Sequence, residues 1–228
     1  MSEISTVIPC LNEENSIEQC IAKVKQSYND LNIDGEIIVV DNGSSDNTAK
    51  IAGATGVKAL YCKERGYGNA LRCGFRNASG KYIFMADGDN SYNFAEIPKF
   101  YKTITKTHAD MLTGSRLKGV IEKGAMPLLH RYIGTPFLTF LFNILFNEHI
   151  SDINCGMRMF KKSCLDKIEF KTTGMEFASE LFVQFKKNKF LIMEIPINLY
   201  KTTCRKSKLN PFRDGFRHLV YLMSAWHK

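Results

Sequence analysis

The chain has 228 residues, with 31 Lys+Arg against 23 Asp+Glu and a formal net charge of +8. Apolar residues at 44% and charged residues at 24% match an ordinary globular protein and exclude a disordered, collagen-like or coiled-coil chain. The length suits one domain, or two lobes sharing a core, and is ample for a large buried interior. The excess positive charge points to an anionic partner: nucleic acid, nucleotide, phosphorylated lipid or an acidic membrane face. Seven cysteines, at 10, 20, 62, 73, 155, 164 and 204, form no C-x-x-C pair and are odd in number. That usage predicts neither a disulfide framework nor a zinc site and places the chain in a reducing, cytosolic compartment. An apolar strand begins at Ile4 without a preceding basic region or cleavable apolar core, so no secretion signal is expected.

In chain order, short apolar runs alternate with segments of helical period. Residues 4–8 read as a strand, followed by a helix with Ile17, Ile21, Val24 and Tyr28 on one face. Residues 36–40, apolar from Ile37 through Val40, read as a strand buried on both faces. Ser45 and Asp46 offer caps for a short helix through Ile51. A strand at 57–61, a helix at 67–77, a strand at 81–86, a helix at 94–106 and a strand at 111–113 follow. This alternation predicts a parallel α/β sheet with right-handed crossovers. The second half is less regular: a long apolar helix, a strand at 157–160, a helix from Met175, a strand at 190–195 and a terminal helix. Residues 132–146 form the longest apolar region, broken by Thr135, Pro136, Thr139 and Asn143. It falls short of the roughly 20 residues of a spanning helix, which leaves a buried core helix or one that partly enters a membrane surface.

Ligands of open parallel sheets bind beyond the carboxyl ends of the strands, and the unusual polar residues fall there. The strands run into Pro9-Cys10-Leu11-Asn12-Glu13-Glu14, Asp41-Asn42-Gly43-Ser44-Ser45-Asp46, Asp87-Gly88-Asp89-Asn90 and Gly114-Ser115-Arg116. Four polar clusters on one edge describe one cleft. Asp87 and Asp89 repel each other unless a cation or donors offset their charge; their hard oxygens suit Mg²⁺ or Mn²⁺ and leave positions for water and phosphates. An Asx-type turn without metal is the plainer alternative. Asp41 and Asn42 suit a nucleobase edge or, equally, a turn. There is no G-x-x-x-x-G-K-[ST] segment, and in Arg65-Gly66-Tyr67-Gly68 the third glycine of G-x-G-x-x-G is replaced by Leu71. Gly66 and Gly68 still permit a tight helix entry that can line the cleft.

TVIPCLNEE (6–14), VVDNGSSDNT (39–48), RGYGNALRCG (65–74) and ADGDNSYN (86–93) resemble family 2 glycosyltransferases of the GT-A fold. Within them the chain resembles the polyprenyl-phosphate sugar synthases of the dolichol-phosphate mannose synthase group. GAMPLLHRYIG (124–134), DINCGMRMFKK (152–162), GMEFASE (174–180) and SKLNPFRDGFRHL (207–219) are most similar to the bacterial dolichol-phosphate-glucose synthetase-like members. The resemblance implies a single GT-A catalytic domain over 1–228, a mostly parallel Rossmann-like sheet flanked by helices. Residues 1–116 would bind nucleotide-sugar, and residues 117–228, with a basic amphipathic terminal helix, the acceptor. Pro9, Leu11, Glu13, Val40, Asp41, Asn42 and Gly66 would hold the UDP or GDP donor. Asp87, Gly88 and Asp89 correspond to the metal and diphosphate motif, and Arg116 and Arg131 to phosphate-binding arginines.

The implied reaction is an inverting displacement at the anomeric carbon, with a metal at Asp89 and Asp87 countering charge on the leaving diphosphate. Arg116, Arg131, Arg205 and Lys208 would add positive charge. A polyprenyl or dolichyl phosphate acceptor is already anionic and needs positioning more than deprotonation. A hydroxyl acceptor would need a carboxylate base, and Glu176, Glu180 and Asp152 are the candidates. Residues 201–228 carry seven basic side chains against Asp214 alone, which suits peripheral binding to the cytoplasmic face of a membrane. No nucleic-acid motif is present. The competing functions are transfer to a glycan or other hydroxyl and non-catalytic binding of sugar nucleotides; self-association stays open.

Overall fold

The computed structural model describes residues 2–202 and 211–226, so Arg205 and Lys208 lie outside the described residues. Seven strands form one sheet: β1 (Ile4–Cys10), β2 (Gly35–Asp41), β3 (Lys58–Tyr61), β4 (Tyr82–Met85), β5 (Met111–Ser115), β6 (Arg158–Lys161) and β7 (Ile192–Pro196). Their order is β3-β2-β1-β4-β6-β5-β7. The helices are α1 (Ile17–Leu31), α2 (Thr48–Ala54), α3 (Tyr67–Arg76), α4 (Ile97–Thr107), α5 (Thr135–Phe146), α6 (Lys162–Leu165), α7 (Phe177–Lys187) and α8 (Pro211–Trp226).

Both sheet faces are covered, which is why β2 reads as an unbroken apolar run. Ile37 and Val39 point into a core shared with Ile17, Val24 and Phe100, on the side of α1 and α4. Ile38 and Val40 point into the opposite core, with Leu71, Phe142, Phe177 and Phe182 of α3, α5 and α7. Successive side chains alternate faces, so an apolar residue at every position is what two cores demand. Gly35 opens β2 because any Cβ there would collide with the ring of Tyr28.

The sheet is mostly parallel, as expected for this fold: only β6 runs antiparallel, to both β4 and β5, while β5 and β7 are parallel. A short return strand carries no helical crossover, and the 157–160 segment gives no hint of direction. Two other expectations are corrected. The apolar stretch 132–146 is not one helix. A π-helical turn (His130–Gly134) precedes α5, with Pro136 in the first turn of α5, where its missing N–H costs no helical bond. Ser45 caps nothing: its amide and hydroxyl donate to Asn12 Oδ1. Asp46 alone accepts the first amide of α2, from Thr48 at 3.0 Å.

The strand order reverses between β1 and β4. Chain order runs β1 to β2 to β3 on one side, and β4 lies on the other, which opens a crevice at their carboxyl ends.

Candidate functional site

A cleft of about 660 Å³ sits in that crevice. Pro9, Cys10, Leu11 and Glu13 enter it from the end of β1, Asp87, Gly88 and Asp89 from the end of β4, and Arg116 from the end of β5. Asn42, Arg65, Gly66 and Tyr67 complete this side. The other side is built from Met126, Pro127 and His130, from Gly174 and Met175, and from Arg213, Asp214 and Arg217 in the first turns of α8.

Much of the polar sequence after β1 and β2 is spent on holding the two loops together. Asn12 N donates to Ser44 Oγ at 2.7 Å, and Glu13 N to Thr48 Oγ1 at 2.7 Å. Glu14 N donates to Asp46 Oδ2, and Glu14 in turn accepts from Asn47 N at 3.0 Å. Asp41 is buried and receives the Ser44 amide at 3.2 Å. Val40 is core. Neither Val40 nor Asp41 is a lining residue. Asn42 lines the cleft, but its amide works on the backbone. Nδ2 donates to Glu64 O at 2.8 Å and Oδ1 accepts from Gly66 N at 2.7 Å. Gly66 has φ +135°, and any Cβ on it would collide with the carbonyl of Thr173; only glycine fits that approach.

The acidic pair is crowded. Burial, then the neighbouring charge of Asp89, push the Asp87 carboxyl up to about 7, against a hydrogen bond from Tyr67. Gly156 closes over it: a Cβ there would lie 2.8 Å from Asp87 Oδ2, and the Gly156 amide donates to Tyr92 Oη at 2.9 Å. Among the described residues no group of three or more His, Cys, Asp or Glu side chains is arranged to hold a metal. The pair would therefore share a cation with substrate oxygens and water, the usual arrangement for Mg²⁺ at phosphates.

Arg116 is fixed by Asp152 in a bidentate pair, Nε to Oδ2 at 2.7 Å and Nη2 to Oδ1 at 2.8 Å. Burial alone would lower its pKa, but the Asp152 charge outweighs that and holds it well above the usual range. Asp152 is fully buried, so this base candidate is the anchor of an arginine. The other two candidates are also committed. Glu180 is buried and off the cleft lining; it accepts from Lys171 N at 2.8 Å and Thr172 N at 2.9 Å. That shapes the loop whose Thr173 carbonyl takes the Gly68 amide at 2.9 Å. Glu176 also lies behind the lining and accepts from Arg217 Nη2 at 2.6 Å and from Gly174 N. Burial raises its pKa, but these hydrogen bonds outweigh it and hold the carboxyl below its ordinary range. Arg131 lies outside the lining, with its guanidinium 5.4 Å from the Tyr132 ring, while its neighbour His130 faces in.

Tyr67, Tyr92 and His130 carry no marked signal in the sequence, and Arg213, Asp214 and Arg217 count there only toward the basic character of residues 201–228. The two tyrosines sit inside recognised motifs, and 213, 214 and 217 form a polar strip on a helix whose apolar face drew attention. Arg158 was missed as well. It is fully buried, donates to the carbonyls of Cys155, Ala178 and Ile153 at 2.8–2.9 Å, and lies 4.4 Å from the Phe182 ring. It ties the 152–156 loop behind the cleft to α7.

α8 docks on α7 through a buried histidine, with Ser179 Oγ 2.7 Å from His218 Nδ1. Burial pushes the His218 imidazole down to about 4, helped by Arg158 and Arg217 and opposed by Glu176 and Asp214. The unfolded chain, at about 6.5, binds a proton that the folded chain refuses. This stability is therefore present above pH 6.5 and lost as pH falls toward 4. Urea unfolding between pH 7.5 and 4.5 should cost the wild type about 2 kcal/mol more than His218→Gln.

The comparisons with known proteins agree with this architecture. Residues 5–169 match the family model described as Glycosyl transferase family 2. The chain is 39% identical, over 96% of its length, to the low-salt glycan biosynthesis hexosyltransferase Agl6 of Haloferax volcanii, of which it spans about half (53%). It is 30% identical, over 93% of its length, to the dolichyl-phosphate hexose transferase of the same organism, covering 89% of that protein. Among solved structures, glucosyl-3-phosphoglycerate synthase from Mycobacterium tuberculosis, in complex with Mn²⁺, UDP and glucosyl-3-phosphoglycerate, superposes with a TM-score of 0.76. That match covers 99% of this chain and 80% of the synthase at 20% identity and is a likeness of fold. The fold is the GT-A fold, and the protein is a glycosyltransferase. The chain belongs to glycosyl transferase family 2.

Proposed function

We propose that the chain transfers a hexose from a uridine or guanosine diphosphate sugar to a polyprenyl or dolichyl phosphate, with inversion, at the cytoplasmic surface of a membrane. The observation that carries this reading is one cleft with the Asp87/Asp89 pair and Arg116 on one side and Arg213 and Arg217 on the other. The acidic side suits a cation shared with a diphosphate, and the basic side suits a second phosphate. The dolichyl-phosphate hexose transferase relative supports the choice of acceptor.

Pro9, Leu11, Glu13 and Gly66 frame the nucleoside. Asp87 and Asp89 fit Mg²⁺ or Mn²⁺, because their mutual repulsion is what a divalent cation relieves. Such an ion would supply positive charge where the diphosphate departs. Tyr67 holds the Asp87 carboxyl in place, and Asp152 aims Arg116 at the phosphates. An acceptor phosphate oxygen bonds to the anomeric carbon while the bond from that carbon to the diphosphate oxygen breaks, its electron pair leaving with the nucleoside diphosphate. The nucleophile is already an anion, so no side chain need remove a proton. Glu176, Glu180 and Asp152 are accordingly free to serve as anchors. Arg131 can meet a phosphate only at the rim, beside His130, and Arg205 and Lys208 are proposed acceptor contacts outside the described residues.

Glu176→Gln keeps a hydrogen-bond acceptor for Arg217 and should cost less than about tenfold in kcat/KM, whereas Arg217→Ala should cost about 100-fold, mainly in acceptor KM. An inactive but folded Glu176→Gln would indicate a proton-removing carboxylate and hence a hydroxyl acceptor.

A further inference from the structure

Among the described residues Cys73 is the one cysteine that is not buried, and it does not stand alone. Its thiol is in hydrogen-bond contact with that of Cys62, which is 7% exposed. The placement follows from the fold. Cys62 comes directly after β3 and donates its amide to Asp41 O at 2.8 Å, beside the end of β2. Gly74, next to Cys73 on α3, lies so close over β2 that a Cβ on it would be 3.1 Å from Val40 Cγ2, and Val40 pairs with Leu60 of β3. α3 thus carries Cys73 across the end of the same strand pair. The other described thiols have other partners: Cys10 the Ile8 carbonyl, Cys20 the Asn90 side chain, Cys155 the Met157 carbonyl and Cys164 the Asp110 carboxylate. Between Cys62 and Cys73 the chain forms a stretch of the cleft wall, with Arg65, Gly66, Tyr67 and Ala70 among the lining residues.

We propose that Cys62 and Cys73 are a modification site, a dithiol that a hydroperoxide converts to a disulfide, closing a covalent ring on the donor side of the cleft wall. Cys73 attacks first, because it reaches solvent. Burial and the neighbouring sulfur push the Cys62 thiol up, which makes Cys62 the poorer nucleophile. The Cys73 sulfur bonds to the peroxide oxygen, the O–O bond breaks, and an alcohol or water leaves with the thiol proton; the product is a sulfenic acid. The Cys62 sulfur then bonds to that sulfenic sulfur, the S–O bond breaks, and hydroxide departs as water with the Cys62 proton. The thiols are oxidised by two electrons and the hydroperoxide is reduced by two. A disulfide holds its sulfurs at about 2.05 Å, well inside hydrogen-bond contact, so residues 62–66 are drawn toward α3. The pull works against Asn42, which holds Glu64 O and Gly66 N, and it removes the Cys62 hydrogen bond to Glu64 O. Gly66 frames the proposed nucleoside pocket, so the consequence for the donor rests on that reading; formation of the bond does not.

The test is treatment of the full chain with hydrogen peroxide, followed by tryptic digestion without reductant and mass spectrometry. Trypsin cuts after Lys63, Arg65 and Arg72, between the two cysteines. The bridge should therefore appear as peptide 59–63 joined to peptide 73–76, lighter by two hydrogens and parted by dithiothreitol. In Cys62→Ala the reaction should stop at a sulfenic acid on Cys73, trapped by dimedone, and in Cys73→Ala the Cys62 thiol should stay free. Calorimetry with Mn²⁺ and UDP or GDP should show nucleotide binding about tenfold weaker after oxidation, about the worth of one hydrogen bond, and restored by dithiothreitol. Wild-type cysteines that stay free, or that oxidise singly to sulfonic acids, overturn the site. So does a bridge from either residue to another cysteine, Cys204 included, or between two chains. A bridged protein with unchanged nucleotide affinity overturns its control of the cleft. Failure of the donor reading looks different: the bridge forms, but neither nucleotide binds even the reduced protein.

Discussion

Asp89→Ala is expected to lower kcat by about 10³-fold or more while leaving the thermal midpoint close to that of the wild type. Charge stabilisation at a leaving diphosphate is worth several kcal/mol, and each 1.4 kcal/mol is about a factor of ten. The fold should tolerate the change. Asp89 is partly exposed, and its carboxylate accepts from the amide and hydroxyl of Ser91, a local contact two residues along the chain. Removing one of two repelling carboxylates also relieves the neighbour whose pKa that repulsion helps to raise. Calorimetric titration with UDP or GDP should show that Mn²⁺ strengthens nucleotide binding to the wild type and has no effect on the variant. An Asp89→Ala enzyme with a normal manganese response would remove the acidic pair from the site.

Asp152→Ala should be the most destabilising single change at the cleft, by about 3–5 kcal/mol. The carboxylate is fully buried and receives both the side chain and the backbone amide of Arg116, and also the Asn154 amide at 3.2 Å. Its loss leaves a nearly buried guanidinium without its counter-charge, a cost larger than the worth of the pair itself. For a chain of this length the thermal midpoint should fall by roughly 6–20 °C. Arg116→Met removes the charge along with its partner's obligation and should destabilise less, yet it should be the poorer enzyme. A reversed order in activity would make Arg116 a structural residue.

The donor half was legible because its signals are local. Apolar runs of strand length end in polar clusters, and the chain alternates strand with helix up to Ser115. The direction of β6 was not legible, because a four-residue strand carries no signal of which way it runs. The carboxylates misled for a related reason. Asp152 meets Arg116 from 36 residues away, Glu176 meets Arg217 from 41 residues away, and Glu180 closes on a loop at 171–172. Nothing in the spacing of GMEFASE distinguishes a helix-surface acid from one turned inward to anchor a loop. Sequence favours Arg131 over His130 because a phosphate wants charge. His130, which opens the π-helical turn, lines the cleft and Arg131 does not, and no local pattern marks such a turn.

The most direct test of the account is the fate of labelled sugar. With Mn²⁺, the full chain, UDP- and GDP-hexoses and polyprenyl phosphate in phosphatidylglycerol vesicles, label should pass into an organic-extractable, mild-acid-labile product, and Arg217→Ala should slow its appearance. Label that stays in the aqueous phase, on a hydroxyl acceptor, with Glu176→Gln inactive, would contradict it.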